Sequence, residues 1–208
     1  EIPGLPGWID APAPEEPLPS RPLVPSRPSL PEPATLSPLG DDRGFSFQRG
    51  LLVHRLLQTL PDLAEADRVE AARAFLSCPI HNLESGQIDT LIAETFTVLN
   101  DNAYASIFGP GSRAEVPVAG VIGGITISGR IDRLVVDSIG VKILDFKTNR
   151  LPPTRAEDVP VLYLQQMSAY RALLREIYKN QIVECILVWT DGPRLMLLDT
   201  ELLDSYEP

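Results

Sequence analysis

The stretch from Gly129 to Arg150, GRIDRLVVDSIGVKILDFKTNR, constrains the fold more than any other part of the chain. Two runs rich in Ile, Val and Leu, at 129–137 and 140–147, flank the turn signal DSIG, and this pattern predicts a β-hairpin. Successive side chains of a strand alternate between its faces, and here both faces are apolar. The hairpin therefore belongs to a sheet that is covered on both sides.

The hairpin carries two acids and a lysine at the end away from the turn. A two-residue turn at Ser138 and Ile139 puts Asp132 directly across from Asp145, with Lys147 on the same face as Asp145. A three-residue loop would shift this pairing by one residue and still leave the three groups within reach of one site. Two acids and an amine that converge suit a divalent cation held beside a positioned water. The alternative is that both acids are solvated edge groups or salt-bridge partners of nearby arginines.

Strand alternation also assigns the apolar side chains of the hairpin to its two faces. The acid-bearing face continues through Leu134, Val136, Val141 and Ile143, and the opposite face through Ile131, Val135, Leu144 and Phe146. Two aspartates opposed on an apolar face repel each other unless a cation compensates, and this favours the metal-site interpretation.

The period of the apolar residues changes along the chain in an order typical of an α/β fold. Apolar residues at 52, 53, 56, 57 and 60 predict a helix that ends near Pro61, and further helices are predicted within 64–78 and 84–99. Strands are predicted within 114–137 and 140–147, a helix within 161–178, and two more strands within 181–190 and 193–199. The sequence therefore predicts a mixed central sheet flanked by helices, with an N-terminal helical section.

Proline sets the first part of the chain apart from the rest. Residues 1–38 hold twelve of the 21 prolines, at a spacing that excludes a helix or a central strand and favours extended polyproline II structure. We therefore expect a proline-rich linker or arm over residues 1–43 and a folded domain over residues 44–208. Because the sequence begins with Glu1 rather than methionine, we also expect a fragment of a longer polypeptide.

Composition argues against several classes of protein. The formal net charge of −10 disfavours a protein that grips nucleic acid through overall charge, although another domain could deliver a strand to an acidic nuclease. No apolar run approaches the about 20 residues of a transmembrane helix, and no signal peptide begins the chain, so we expect a cytoplasmic protein without a membrane partner. Cys78 and Cys185 predict reduced, buried thiols, and two cysteines exclude a four-cysteine zinc or iron–sulfur site within this chain.

Side chains outside the hairpin have a spacing that suits the same site. His54 lies on the apolar stripe of the first helix, as either a core residue or a metal ligand, and Gly50 one turn earlier permits close approach of another segment. Gln166 and Tyr170 share one face of the later helix, either as boundary residues or as hydrogen-bond donors to a phosphate or to the acids. Glu115 is either a supporting acid or a residue without a role in the site.

Four motifs, taken in order, resemble the RecB-type branch of the PD-(D/E)XK nucleases: Gly50-x-x-x-His54, Gly129-Arg130-Ile131-Asp132, Asp145-Phe146-Lys147 and Gln166-x-x-x-Tyr170. Each motif is weak alone, whereas the ordered set is specific. The resemblance covers residues 44–208 and is greatest to the C-terminal nuclease domain of the AddA-type helicase–nucleases, which act in bacterial double-strand break repair by recombination. The proline-rich arm then looks like the tether to a helicase portion.

The resemblance implies an α/β fold with a restriction-endonuclease-like core and a Mg²⁺-dependent DNA nuclease, with Mn²⁺ as a substitute metal and no iron–sulfur cluster. The implied metal ligands are His54, Asp132, Asp145 and the backbone carbonyl of Phe146. The implied catalytic residues are Lys147, Asp145 and Asp132, and Gln166 and Tyr170 would support the site or contact the DNA backbone. These residues would hydrolyse a phosphodiester bond.

The resemblance also implies partners. They are DNA, as single strands or duplex ends, the helicase portion of the same polypeptide and an AddB-type partner in the bacterial cytoplasm. No Walker motif occurs, so ATP-dependent helicase activity is expected outside this chain.

Two other functions compete with a nuclease. A catalytically weak domain that guides a DNA strand or docks another protein of the same assembly fits the acidic charge. An α/β small-molecule hydrolase is disfavoured, because no nucleophile elbow and no serine–histidine arrangement occurs in the sequence.

Overall fold

A mixed sheet of five strands forms the centre of the structure. The structure is a computed structural model that describes residues 23–25, 43–109, 111–149, 151–206 and 208, with the backbone alone for residues 43–46. The strands follow chain order across the sheet: β1 (Ser112–Ile122), β2 (Ile125–Val136), β3 (Gly140–Lys147), β4 (Ile182–Trp189) and β5 (Arg194–Leu198). Strands β3 and β4 are parallel, and the other neighbouring pairs are antiparallel. The predicted mixed sheet is therefore confirmed.

Helices cover both faces of this sheet. In the described residues the α-helices are α1 (Arg43–Thr59), α2 (Glu65–Leu76), α3 (Ser85–Leu99), α4 (Val161–Ile177) and α5 (Thr200–Asp204). Helix α4 is the crossover that connects the parallel strands β3 and β4. The first four helices correspond to predicted helices, and α5 was not predicted. No helix in this part of the chain combines the length and the apolarity that a membrane crossing requires.

Each face of the sheet packs its own hydrophobic cluster. On one face, residues of α4 and α5 pack with Leu134, Val141 and Ile143 of the hairpin. On the other face, residues of α1, α2 and α3 pack with Val135 and Leu144. The hairpin is therefore buried from both sides, as its two apolar faces predict.

The turn of the hairpin has the predicted two-residue geometry. Val136 pairs with Val141, and the N–H of Asp137 donates to the carbonyl oxygen of Gly140 at 3.1 Å. The Asp137 carboxylate accepts hydrogen bonds from the N–H groups of Ile139 at 2.7 Å and Gly140 at 3.1 Å. These bonds hold the pKa of Asp137 below its usual value, and they close the turn through the side chain of its own first residue.

The alternation of side chains in β2 breaks at Asp132, and the prediction for Ile131 is wrong. Ile131 packs in the α4 cluster with Leu134, rather than on the face of Phe146. The pairing with β1 passes from Arg133 directly to Ile131, and the pairing with β3 ends at Arg133. The alternation of side chains in β2 therefore shifts by one residue at Asp132, because neither β1 nor β3 forms a regular pair with this residue.

Most of the predicted arm lies outside the described residues, so the linker and its boundary stay predictions. Leu23 is described and forms a parallel bridge with Ile127 of β2. Its N–H donates to the carbonyl of Thr126 at 2.7 Å, and its carbonyl accepts from the N–H of Ser128 at 3.0 Å. This short segment of the arm extends the edge of the sheet beside the free part of β2.

The two cysteines differ in exposure, so the prediction of two buried thiols is wrong for Cys78. Cys78 is exposed beyond the end of α2. Cys185 in β4 is buried, and its thiol donates to the carbonyl of Met167 at 3.6 Å. Burial raises the pKa of Cys185 to about 12, which keeps the thiol protonated and unreactive.

We expect a thiol-specific reagent at pH 8 to modify one cysteine of the native protein rapidly, because only Cys78 is accessible. Cys185 should react only after unfolding in guanidinium chloride. Spectrophotometric titration of the released chromophore measures both phases, and Cys78→Ser should remove the rapid one. Two rapidly reacting thiols in the native protein would contradict the burial of Cys185.

Candidate active site

A cleft of about 420 Å³ opens where β3 ends. Helix α1 lines it with His54 and Arg55, β1 and β2 line it with Glu115 and Arg130, and Lys147 lines it from the end of β3. The cleft therefore brings together residues that are distant in the sequence, including the lysine and the histidine of the predicted site.

Asp132 lies just beyond the last pair of β2 and β3, Arg133 with Leu144, so the expected direct pairing of Asp132 with Asp145 does not form. Its Oδ2 accepts a hydrogen bond from the N–H of Phe146 at 2.8 Å and lies 3.4 Å from Nδ1 of His54. Burial, and to a lesser extent the charge of Asp145, raises the pKa of Asp132 to about 6, although His54 and the Phe146 N–H act in the opposite direction. A carboxyl group with this pKa needs a nearby positive charge if it is to stay ionised at a low cost in free energy.

Asp145 is enclosed by two side chains that fix its position. Nε2 of Gln166 donates to Oδ1 of Asp145 at 2.7 Å, and Oε1 of the same amide accepts from Nζ of Lys147 at 3.1 Å. Nζ of Lys147 lies 2.6 Å from Oδ2 of Asp145 but off the hydrogen-bond direction. The ammonium also lies 3.9 Å from the ring centroid of Tyr163, so a carboxylate, an amide and an aromatic face all contact it.

Lys147 keeps its proton in this arrangement. Burial is the largest single influence and lowers its pKa, but the charge and close contact of Asp145, with smaller contributions from Tyr163 and Asp132, together outweigh burial, so the pKa of Lys147 lies above its ordinary value. An ammonium with a raised pKa acts as a fixed positive charge and hydrogen-bond donor rather than as a general base.

Tyr170 supports the site from within the core. Its hydroxyl donates to the carbonyl of Arg130 at 3.0 Å and accepts from the N–H of the same residue at 3.3 Å. The side chain is fully buried, and Gly129 makes room for it, since a Cβ there would lie 2.6 Å from the hydroxyl oxygen. Tyr170 therefore fixes the backbone two residues before Asp132, and its role in supporting the site or contacting DNA stays a prediction.

A buried ion pair holds the chain just beyond Lys147. The guanidinium of Arg49 on α1 makes two hydrogen bonds to the carboxylate of Glu94 on α3, at 2.9 and 2.7 Å, and a third to the carbonyl of Thr148 at 2.6 Å. The hydroxyl of Thr190 donates to the same carboxylate at 2.6 Å. Gly50 follows Arg49, and a Cβ there would lie 2.9 Å from Oγ1 of Thr148, which is the close approach its small size predicts.

The structure brings the predicted side chains together at one place: His54, Asp132, Asp145, Lys147 and Gln166, with Tyr170 directly behind them. The backbone of Phe146 reaches this place through its N–H, and the role of its carbonyl as a ligand stays a prediction. Sequence reasoning missed Tyr163, although it lies three residues before Gln166 on the same face of α4. It also missed Arg49 and Glu94, because a contact between α1 and α3 leaves no pattern in either helix alone.

The donor atoms suit a hard divalent cation. Two carboxylates and an imidazole form a set that binds Mg²⁺ or Mn²⁺, and Oδ2 of Asp145 is buried without a hydrogen bond in line. Among the residues described, His, Cys, Asp and Glu side chains nowhere form a preformed group of three around a metal-sized point. The reason is that Asp145 turns to Lys147 and Gln166, whereas Asp132 turns to Phe146. The residues therefore fit a divalent metal site, in which Asp145 has Lys147 as a counter-charge and Asp132 lies between the Phe146 N–H and His54.

We expect Glu94→Gln to lower the free energy of unfolding by about 3 kcal/mol, because it leaves the buried Arg49 guanidinium with only the more exposed carboxylate of Asp191, 3.9 Å away, as a counter-charge. Asp89→Asn is the matched control on the same helix, since its salt bridge to Arg73 is exposed and is worth about 1 kcal/mol at most. Urea denaturation followed by circular dichroism measures both. Equal effects of the two substitutions would show that the Arg49–Glu94 pair does not hold the site.

Comparison with known proteins agrees with this geometry. Residues 30–191 match the PD-(D/E)XK nuclease superfamily. An ATP-dependent helicase/nuclease subunit of Moorella thermoacetica is 37% identical over 83 residues, which cover 40% of this chain and only 5% of that protein. A crystal structure of the protein SSO0001 is similar over 74% of this chain and 81% of that chain, with a TM-score of 0.33 and 17% identity, which is too little to establish a shared fold. The family match, which spans most of the sequence, shows that the chain belongs to the PD-(D/E)XK nuclease superfamily.

Proposed function

We propose that this domain is a metal-dependent DNA nuclease that hydrolyses phosphodiester bonds in exonuclease-type processing of DNA ends. The observation that carries the proposal is the group formed by Asp145, Lys147 and Gln166, which lies beside Asp132 and His54 at one cleft. Members of the superfamily are generally nucleases. The Asp-x-Lys pair and the acid before it in the sequence are the groups that such chemistry needs.

The proposed metal ligands are His54, Asp132, Asp145 and the carbonyl oxygen of Phe146. Nucleases of this superfamily typically use Mg²⁺, and we expect Mn²⁺ to substitute for it. When bound, the metal would act as a Lewis acid on the phosphate and lower the pKa of a coordinated water. The ionised carboxylates would bind it more tightly at a pH at which Asp132 has lost its proton.

Lys147 has the charge and the position to stabilise the negative charge that develops on a phosphate. Its ammonium is held from three sides, by Asp145, Gln166 and Tyr163, so it needs no reorganisation to act. Gln166 bridges the acid and the lysine, and it therefore fixes the distance between the proposed metal ligand and the proposed catalytic cation. Arg49 and Glu94 hold the chain that follows Lys147.

The larger context of the domain is also a proposal. The relative from Moorella thermoacetica is part of a helicase/nuclease, and the chain matches only a small part of its length. We infer that the domain forms part of a bacterial helicase–nuclease that processes DNA in double-strand break repair, together with an AddB-type partner. The helicase portion of the same polypeptide would deliver the DNA strand and supply the ATP-dependent activity, in the cytoplasm.

We expect Asp145→Asn to reduce cleavage of a 5′-labelled single-stranded oligonucleotide in Mg²⁺ by at least about 100-fold, because it removes a metal ligand and the counter-charge of Lys147. Cleavage is measured by denaturing gel electrophoresis over time. Asp89→Asn, which lies on the exposed side of α3, should cleave like the unmodified protein.

Calorimetric titration with Mn²⁺ separates the nuclease from its main competitor, a strand-guiding or docking domain. The nuclease should bind Mn²⁺ in a manner that Asp132→Asn and Asp145→Asn abolish. A folded protein that neither binds Mn²⁺ through these residues nor cleaves DNA would favour the docking domain and refute the proposal.

We expect Lys147→Met to separate metal binding from catalysis. Removing the ammonium 2.6 Å from Oδ2 of Asp145 frees that oxygen, so Mn²⁺ should bind at least as tightly as before. Cleavage should nevertheless fall by about 100-fold, because the fixed positive charge is lost. Calorimetry and the cleavage assay measure the two effects, and unchanged cleavage would exclude Lys147 from catalysis.

A further inference from the structure

Arg130 is a further basic residue of the cleft, besides Lys147 and Arg55, and has no role in the proposed chemistry. It lies two residues before Asp132, and it lines the same cleft as His54 and Lys147. Its side chain is 64% exposed, whereas that of Lys147 is 12% exposed, so the two cations differ in access to a ligand. Lys147 is enclosed with the acids, and Arg130 faces the opening.

The backbone of Arg130 is fixed by hydrogen bonds, although it lies in the part of β2 that does not pair with β3. At this point β2 and β3 no longer pair, although β3 continues to Lys147, so within the described residues no strand pairs with Arg130 on that side. The hydroxyl of Tyr170 takes the place of the missing strand, because it bonds to both the N–H and the carbonyl of Arg130. On the other side Arg130 pairs with Pro117, which has no N–H to donate. A buried tyrosine therefore fixes the point from which the side chain extends.

Glu115 contacts the far end of the same side chain. Its carboxylate lies 3.5 Å from Nη1 of Arg130, and its own side chain is 27% exposed. Glu115 has φ of 54°, the left-handed region that a glutamate rarely adopts, although it lies within β1 between the paired residues Ala114 and Val116. This conformation costs about 1–2 kcal/mol and persists only where the surroundings impose it. Strain of this kind at the edge of a cleft indicates a functional position.

We propose that Arg130 binds a phosphate of the DNA strand that flanks the bond to be cut, and that Glu115 is a positioning residue that holds the guanidinium over the cleft. The inference rests on the proposed nuclease function and adds to it the contact that sets the strand in place. A single contact at 3.5 Å leaves the other N–H groups of the guanidinium available, and a planar guanidinium donates two hydrogen bonds to one phosphate. Without Glu115, the long exposed side chain of Arg130 would sample other directions and would no longer be held over the cleft.

The test compares two arginine–glutamate pairs. Arg130→Gln should raise KM for a short single-stranded oligonucleotide by about 10-fold and reduce the slope of log KM against log salt concentration by about 0.7, because one phosphate contact is lost. Arg155→Gln is the matched control, since Arg155 pairs with Glu157 at an exposed position outside the cleft. Equal KM values and equal salt slopes for Arg130→Gln and Arg155→Gln would overturn the proposal.

Glu115 has a readout that a merely structural residue would not give. Glu115→Gly relieves the left-handed backbone, so the melting temperature should rise by about 2–4 °C, whereas kcat/KM should fall by about 3-fold. Glu157→Gln should change neither quantity. A variant Glu115→Gly with unchanged kcat/KM would remove the positioning role.

The two proposals fail in different ways. Cleavage by the unmodified protein together with an unaltered KM in Arg130→Gln refutes the role of Arg130 alone. Absence of cleavage by the unmodified protein in both Mg²⁺ and Mn²⁺ overturns the nuclease function and the role of Arg130 with it.

Discussion

The site depends on the point at which two neighbouring strands separate. The pairing of β2 with β3 ends at Arg133 and Leu144, although β2 begins at Ile125 and β3 continues to Lys147. Beyond that point the backbone of the hairpin needs other partners, since buried N–H and C=O groups are costly without hydrogen bonds. The carboxylate of Asp132, the hydroxyl of Tyr170 and the backbone of Leu23 supply them in succession along the free part of β2 and the end of β3. The side chains that complete the sheet are thus the ones that surround the cleft.

Charge compensation explains why the site is ordered before any ligand binds. Asp145 and Lys147 are almost fully buried, and two buried charges are tolerated only when each has a partner with good geometry. Gln166 satisfies one group on each of them, so the amide links the two charges into one unit. Such a unit fixes the positions of these side chains more than it stabilises the fold. Arg49 is also a buried charge with a partner, and it fixes the segment after Lys147.

The fold follows from patterns that are local in the sequence, and so could be predicted. The hairpin register follows from the turn, and the mixed sheet follows from the order of apolar periods. The proximity of His54 to Asp132 is correct as well, but it rested on the resemblance, since α1 and β2 are far apart in the sequence. The face of the sheet on which Ile131 lies could not be predicted from alternation, because the alternation of side chains breaks at Asp132. The break in alternation depends on where β2 and β3 stop pairing and on the backbone of Glu115, and neither is visible in the pattern of one strand.

Charge distribution adds a constraint on how DNA could reach the cleft. The chain has a net charge of −10, of which residues 1–43 carry −4, so its surface as a whole repels a polyanion. Repulsion between exposed charges is screened beyond about 8–10 Å at moderate salt, whereas a cation in contact with a phosphate is not. Arg55 and Arg130 line the cleft itself, and Lys147 lies at its inner end, so attraction is confined to the last few ångströms. On the proposed function, such a domain would capture a strand poorly from solution and would hold it once it arrives. On the proposed function, delivery by a helicase supplies the step that the domain's own charge opposes.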